Sequence, residues 1–244
     1  MGLGLAINGL AGTAHASSFS VSPTRLALAP GTTSVVLTLT NQHDRAIRFQ
    51  LSVFAWDQSE DGRMQLADTA DVVVYPPLVS LDPGESRRIR VGTVVPFGEI
   101  EKTYRLLVEE LPDDNAPVTP GGVQVRTRMG IPVFLQGRGK TPNVVTGIEH
   151  ASVADGVLSF DLVNSGMRHA LPQRIQVRGT AADGHKVFSR DVDGWYLLAG
   201  HRQAFHVALP DDCVLVAAVE VEATFAHGTF NERVDVPPAA CPVR

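Results

Sequence analysis

The segment from Val123 to Leu135 constrains the fold of this chain more than any other stretch. Its apolar residues fall at every second position, and this alternation predicts a long β-strand with one buried face. Pro132 has no N–H to donate to a sheet ladder, so we expect the strand to lie at a sheet edge, at least from Pro132 on. The apolar row of this segment consists of Val123, Val125, Thr127, Met129, Ile131 and Val133.

A long edge strand with an apolar row needs an explanation, because its unpaired backbone groups invite pairing with another chain. Two interpretations stay open at this point. In the first, loops of the same chain cover the edge and the strand is ordinary. In the second, residues 123–135 pair with a strand of a partner protein. The same edge would also allow two copies of this chain to associate.

The rest of the sequence predicts an all-β protein with two similar halves. Short alternating runs recur between turn residues, and no window keeps the apolar spacing of an amphipathic helix. The run that ends at Asn41 is echoed by a run that ends at Asn164. Each half has about seven strands, the number expected of an immunoglobulin-like sandwich. We therefore predict two such domains joined near residue 140, with Trp56 as a large core residue.

The N-terminal residues indicate export. Residues 1–16 contain no charged side chain and end in Ala14-His15-Ala16, a pattern typical of signal-peptide cleavage. We assign residues 1–16 to a signal peptide remnant, residues 17–138 to the first domain and residues 139–244 to the second. The mature protein would be exported, without insertion into a membrane.

The two cysteines, Cys213 and Cys241, fit an oxidising compartment, where a lone pair most often forms a disulfide. A metal site is disfavoured, because the sequence has neither CxxC spacing nor a paired histidine motif, and no cofactor is predicted. The net charge of −5 argues against binding to nucleic acid, which requires a basic surface.

Several segments, taken in order, resemble the periplasmic pilus-assembly chaperones of Gram-negative bacteria, the PapD-like chaperone–usher family. The likeness runs over residues 20–140, is weaker over the second half, and is nearest to the divergent, archaic-type branch. It implies two immunoglobulin-like sandwich domains in a boomerang arrangement, a periplasmic location, and pilin subunits and an outer-membrane usher as partners. The segments that carry it are Ser22-Pro23-Thr24-Arg25, Leu81-Asp82-Pro83-Gly84, Glu101-Lys102-Thr103-Tyr104-Arg105 and Ile131-Pro132-Val133-Phe134.

The resemblance also implies a binding mode, called donor-strand complementation. Such chaperones lend an edge strand to a pilin subunit whose own sandwich lacks its last strand, and no covalent bond is made or broken. Four or five donated side chains, at roughly 1.5–3 kcal/mol for each buried Val or Met, would replace much of the missing core. The donors implied here are Val123, Val125, Thr127, Met129 and Ile131.

In the family, an arginine on the first strand and a lysine on the long strand anchor the C-terminal carboxylate of the pilin. Arg25 matches the arginine, and a guanidinium can grip a carboxylate with two hydrogen bonds. The position of the lysine carries Pro132, so the chain departs here from the two-point anchor of the family. Arg105 is the candidate for the second charge, because it lies on the strand face opposite the core-facing Tyr104. Arg128 is a poorer candidate.

Arg90 and Glu101 match family residues that make charged contacts near the domain junction. The aspartate expected before a glycine in the second domain is missing, since the chain reads Ala226-His227-Gly228 there. We therefore expect the junction contact to be absent or built differently. The alternative is an ordinary solvated pair worth less than about 1 kcal/mol.

An enzyme and an exported binding module are the two alternative functions. An enzyme is disfavoured, because the sequence has no nucleophile elbow, zinc-protease motif, phosphate loop or dinucleotide fingerprint. An exported two-domain adhesin or carbohydrate-binding module is the alternative to a chaperone. Such a module would be expected to present aromatic platforms, yet only 6% of the residues are aromatic.

Overall fold

The computed structural model describes residues 19–112, 125–138, 144–211 and 213–241. Within these ranges the chain forms β-strands and two short 3-10 turns, Cys213–Leu215 and Pro238–Ala240. The strands of the first half are β1 (Phe19–Ser22), β2 (Leu26–Leu28), β3 (Ser34–Asn41), β4 (Ile47–Gln58), β5 (Met64–Asp68), β6 (Val72–Tyr75), β7 (Leu78–Leu81), β8 (Ser86–Thr93), β9 (Lys102–Glu110) and β10 (Arg128–Leu135). Those of the second half are β11 (Thr146–Ala154), β12 (Val157–Asn164), β13 (Pro172–Thr180), β14 (Lys186–Val192), β15 (Arg202–Ala208), β16 (Ala218–Phe225) and β17 (Gly228–Asp235).

The first ten strands form one sandwich. One sheet has the order β1-β3-β8-β6, and the other has the order β2-β10-β9-β4-β5, with β7 also paired to β4. The chain changes sheet at the cis Ser22–Pro23 peptide, which separates β1 from β2. Along β9, the alternate residues Tyr104, Leu106 and Val108 point into the core between the sheets, as the sequence pattern predicts.

The remaining strands form a second sandwich, from a sheet of order β11-β12-β15 and a sheet of order β14-β13-β16-β17. Phe160 and Phe205 stack in its core with ring centroids 5.0 Å apart. Cys213 and Cys241 form the disulfide expected from the sequence, and both sulfur-bearing residues are buried in this core.

The predicted all-β fold of two immunoglobulin-like sandwiches is confirmed. The domain limits stay predictions, because residues 1–18 and 139–143 lie outside the described residues. No helix in the described part of the chain is long and apolar enough to span a membrane.

Asn41 and Asn164 make matching hydrogen bonds in the two domains, and both are buried. In each case the side-chain amide donates to the carbonyl four residues on and to two successive carbonyls of a distant turn, while its oxygen accepts an N–H two residues on. A buried amide left unpaired would be costly, so these bonds hold the turns firmly. The acceptors are Arg45, Leu81 and Asp82 for Asn41, and Arg168, Leu197 and Leu198 for Asn164.

Trp56 is buried, but it does not belong to the core of the first sandwich as expected. It forms a separate cluster with Phe134 and with Leu198 of the second domain, and Tyr196 packs against this cluster. The sequence pattern could predict burial of a large side chain on β4 but not which domain would cover it. The two sandwiches thus share an apolar junction at Trp56.

Candidate functional site

The candidate site is built on β10, one end of which is open. Residues 128–135 pair with β9 in antiparallel register, whereas only residues 133–135 have a neighbour on the other side, the parallel strand β2. The prediction that the edge extends from Pro132 onward is therefore wrong. The change of sheet at Pro23 brings β2 alongside the end of β10 and covers it. Among the described residues, the open edge of β10 is residues 128–132.

The backbone groups on the open edge follow from the ladder with β9. The N–H of Glu110 donates to the carbonyl of Thr127 at 3.0 Å. Because bonded and non-bonded pairs alternate in an antiparallel ladder, odd-numbered residues of β10 direct their backbone groups to β9 and even-numbered residues direct theirs outward. Arg128 and Gly130 therefore present an N–H and a carbonyl at the open edge. Pro132 belongs to the same outward set, so its missing N–H breaks no bond to β9.

The predicted donor side chains differ in exposure along the strand. Val125 is 60% exposed, and Thr127 and Met129 are half-buried. Ile131 is 1% exposed and belongs to the core of the first sandwich, against which Met129 packs. The apolar row thus extends from the core of the first sandwich, at Ile131, to the protein surface, at Val125. Val123 lies outside the described residues.

Arg105 faces Pro132 directly across β9 and β10. Its side chain leaves the sheet on the face opposite the core, as expected, but it is only 3% exposed. The guanidinium carbon lies 4.2 Å from the ring centroid of Trp56 and 5.0 Å from that of Trp195. Both distances are within the range of a cation–π contact. A positive charge thus lies directly across the two strands from Pro132, the position at which the resemblance implies a lysine.

The guanidinium of Arg105 has no acidic partner in the described part of the chain. Its Nη1 donates to the carbonyl of Gly130 at 3.3 Å, and its Nε has no hydrogen-bond partner among the described residues. Burial lowers the pKa of Arg105 and the nearby Tyr196 opposes this, but a guanidinium stays protonated in proteins. A buried cation without a counter-ion is costly. The site can therefore gain from binding an anion.

Arg25 lies in the turn before β2 and is exposed. It borders a shallow cleft of about 420 Å³ together with Pro23, Thr24 and Tyr196. No hydrogen bond or ion pair within the described ranges engages its guanidinium. Tyr196 lines the cleft of Arg25, and its ring centroid lies 5.6 Å from that of Trp56, which contacts Arg105. The two predicted anchors thus border the same group of aromatic side chains at the domain junction.

Arg128, the poorer candidate for an anchor, is engaged elsewhere. Its Nε lies 3.0 Å from Oε1 of Glu109, its direct neighbour on β9. This pair leaves Arg128 exposed at the surface, with its guanidinium directed to β9 rather than to the cleft at Tyr196.

Glu101 lies at the domain junction, and its side chain is 1% exposed. Its N–H donates to the carbonyl of Met167 at 3.0 Å. Its Oε1 accepts the N–H of His169 at 2.9 Å and lies 2.6 Å from Nδ1 of the same histidine. Arg90 takes no part in this contact: it is exposed and donates to Oγ of Ser34 at 3.0 Å. A histidine of the second domain is thus the partner of Glu101 at the junction.

The junction also fixes the end of β10. The ring of Phe134 stacks on that of His169, with centroids 3.7 Å apart and an interplanar angle of 12°. Gln58 adds two hydrogen bonds between the domains, because its Nε2 donates to the carbonyl of Tyr196 at 2.7 Å and its Oε1 accepts the N–H of Leu198 at 3.2 Å. The strand therefore has a fixed end at the junction and an open edge at residues 128–132.

The sequence pattern does not predict three residues of this site: His169, Trp195 and Tyr196. Trp195 and Tyr196 lie between β14 and β15, outside any alternating run, so alternation could not predict their burial or their contacts. Two adjacent aromatic residues in a turn-rich segment were the available signal. Among the described residues there is no group of three or more His, Cys, Asp or Glu side chains that could hold a metal ion.

A comparison with known families identifies the first sandwich. Residues 18–139 match the model of the family described as pili and flagellar-assembly chaperone, PapD N-terminal domain, and the match spans half of the chain. The chain belongs to this family. Its members are periplasmic chaperones without enzymatic activity, so the enzyme alternative is set aside. A search of curated proteins by sequence finds no match.

Solved structures show the same fold over nearly the whole chain. The chaperone of the CsuC–CsuE chaperone–tip adhesion subunit complex, from archaic Csu pili of Acinetobacter baumannii, is 18% identical, with a TM-score of 0.62 over 90% of this chain and 98% of that chain. The SafA pilin–SafB chaperone complex of Salmonella enterica gives 14% identity and a TM-score of 0.58 over 91% and 99%. The E. coli chaperone DraB gives 21% and 0.53 over 90% and 96%.

Proposed function

We propose that this protein binds pilin subunits through the open edge of β10 and holds them folded by donor-strand complementation. The observation that carries the proposal is the half-open strand. Residues 128–132 offer backbone donors and acceptors at an edge, while the other side of the strand is held by its full ladder with β9. A subunit that lacks a strand can pair with these groups without disturbing the fold of the chaperone.

The side chains on the strand support the same proposal. Val125 is exposed and Thr127 and Met129 are half-buried, so these three are available to fill a groove in a subunit. Ile131 is already buried in the core of the chaperone, and its part is to fix the register of the strand. Burial of Val125 alone would contribute up to roughly 1.5–3 kcal/mol, reduced by the part of its surface that is already covered.

The two arginines are suited to hold the C-terminal carboxylate of the subunit. Arg25 is exposed beside Tyr196, and Arg105 is a buried cation without a counter-ion. A carboxylate can accept charge-assisted hydrogen bonds from both, which are stronger than neutral ones. Anchoring the last residue would also set the register in which the subunit pairs with β10.

The chaperone complexes with a tip subunit and with a pilin among the similar structures support a subunit as the partner. We further propose that the loaded chaperone delivers its subunit to an outer-membrane usher. In the absence of a subunit, two copies of the chain would be able to shield residues 123–135 by pairing with each other. The adhesin alternative has less support, because the half-exposed Trp195 lies against Arg105 rather than forming an open platform.

Co-expression with a cognate pilin tests strand donation. Wild type is expected to yield a soluble one-to-one complex from the periplasm, and Val125→Asp to lose it, because a carboxylate would be buried in the groove of the subunit. Val214→Asp is the matched control, since Val214 is exposed to a similar extent but lies in the second domain. Equal yields of complex from all three proteins would rule out β10 as the binding edge.

A further inference from the structure

Trp195 separates Arg105 from solvent. Two tryptophan rings contact the guanidinium, and they differ in exposure: Trp56 is 5% exposed, whereas Trp195 is 48% exposed. Since Arg105 itself is only 3% exposed, the ring of Trp195 forms the layer between the cation and water. Trp195 therefore covers the guanidinium on the side from which a carboxylate would approach.

The other partner of Arg105 is an acceptor at the open edge. Gly130 is an even-numbered residue of β10, so its carbonyl points outward, where Nη1 of Arg105 reaches it at 3.3 Å. This distance is long for a hydrogen bond. A subunit strand that pairs with β10 would bring a backbone N–H to the same carbonyl. Pairing would therefore compete with Arg105 for Gly130 and release its Nη1.

We propose that Trp195 is a gate over Arg105 and that the terminal carboxylate of a subunit, brought to the site by its docking last strand, opens it. In the free protein, the two tryptophans and the carbonyl of Gly130 hold the guanidinium. In the complex, the terminal carboxylate takes the place of Trp195 at Arg105, and the incoming strand takes the place of Arg105 at Gly130. The inference rests on the proposed function and adds that the Arg105 anchor is closed until a subunit strand arrives.

A closed anchor has three consequences. The apparent affinity for a carboxylate is lower than the intrinsic affinity by the fraction of molecules with the gate open. A free anion brings no backbone N–H that could bind the carbonyl of Gly130. Free anions therefore compete poorly with a subunit for the site. Because Trp195 belongs to the second domain, the gate also gives that domain a direct role in capturing the C-terminus of the subunit.

The probes for a test are two synthetic peptides that copy the C-terminal strand of a cognate pilin, one as the free acid and one as the amide. Calorimetric titration of wild type, Trp195→Ala and Trp195→Phe gives the ratio of acid to amide affinity for each protein. We expect Trp195→Ala to raise this ratio by roughly threefold to tenfold, the range for loss of one cation–π contact in the closed form. Trp195→Phe should give a smaller rise, and Leu215→Ala, which removes another exposed apolar side chain, should give none.

Fluorescence provides an independent readout, because Trp56 and Trp195 are the only tryptophans. The emission of wild type should change with the acid but little with the amide, and Trp195→Phe should lose that change. If wild type prefers the acid but Trp195→Ala leaves the ratio unchanged or lowers it, Trp195 only positions Arg105 and the gate is wrong. If wild type binds the acid and the amide equally, both the gate and the carboxylate anchor are overturned, while strand donation is not.

Discussion

Arg105 of β9 and Pro132 of β10 are direct cross-strand neighbours on the face of the sheet that meets the second domain. They form a non-hydrogen-bonded pair, in which β-carbons approach to about 4.5–5.5 Å. A cation on either residue would therefore occupy nearly the same place beside the open edge. The proposed role of Arg105 as the second anchor rests on this relationship, because Pro132 occupies the position at which the resemblance implies a lysine.

The first prediction separates stability from binding at Arg105. Arg105→Met replaces an unpaired buried cation by an apolar side chain of similar length, so the free energy of unfolding of the free protein should stay the same or rise. Binding of the carboxylate peptide should weaken by roughly tenfold to a hundredfold, because charge-assisted hydrogen bonds are lost. Urea unfolding and calorimetric titration measure the two effects.

Arg88→Met is the matched control for this experiment, since Arg88 is exposed on β8 and makes no contact with the cleft. It should change neither quantity. A large loss of stability in Arg105→Met, with peptide affinity retained, would mean that Arg105 serves the domain junction rather than the subunit.

The second prediction concerns Glu101 at the domain junction. Glu101→Ala leaves the backbone N–H of His169 without its acceptor and removes the partner of Nδ1. An unsatisfied buried polar group costs about 1–3 kcal/mol, so urea unfolding should show a loss of that size. Glu99→Ala changes an exposed carboxylate two residues earlier and should be neutral. If the two variants unfold alike, the contact between Glu101 and His169 does not stabilise the protein.

The third prediction concerns the pH dependence of the stability that Asp71 contributes. The hydroxyl of Tyr104 donates to Oδ2 of Asp71 at 2.8 Å and Nζ of Lys102 lies at 3.1 Å. These two groups hold the pKa of Asp71 below its usual value of 3.8. A carboxyl with a lowered folded pKa contributes stability that is present above its unfolded pKa and is lost as the pH falls through the folded pKa. The stability advantage of wild type over Asp71→Asn should therefore be present at neutral pH and shrink below 3.8.

Urea unfolding of both proteins across this range gives the measurement, with Asp68→Asn on the neighbouring exposed strand as the control. An advantage over Asp71→Asn that is the same at acid and neutral pH would show that the bonds to Tyr104 and Lys102 do not depend on the charge of Asp71.

Much of the fold could be predicted from the sequence, because alternation reports directly on which face of a strand is buried. Ile131 and Val133 enter the core as their positions in the row require. The echo between Asn41 and Asn164 is a structural repeat, since the same hydrogen bonds hold the same turn in both domains. Periodicity and turn residues are local properties, and they carried these predictions.

The details of the site could not be predicted in the same way, because they depend on contacts between domains. Nothing local to Arg105 indicates that Trp195, far along the chain, covers it. The prediction that the edge begins at Pro132 was also wrong, because residues 133–135 pair with β2. That pairing depends on a change of sheet at Pro23, which strand alternation does not report. Trp56 was placed in the wrong cluster for the same reason.

Hydrogen exchange of the β10 amides, with and without a bound pilin, tests the central claim most directly. Because even-numbered residues face the open edge, the account predicts that the amides of Arg128 and Gly130 become protected when the subunit binds. Those of Met129 and Ile131, already bonded to β9, should change far less. A complex that forms without new protection at Arg128 and Gly130 would contradict strand donation through this edge.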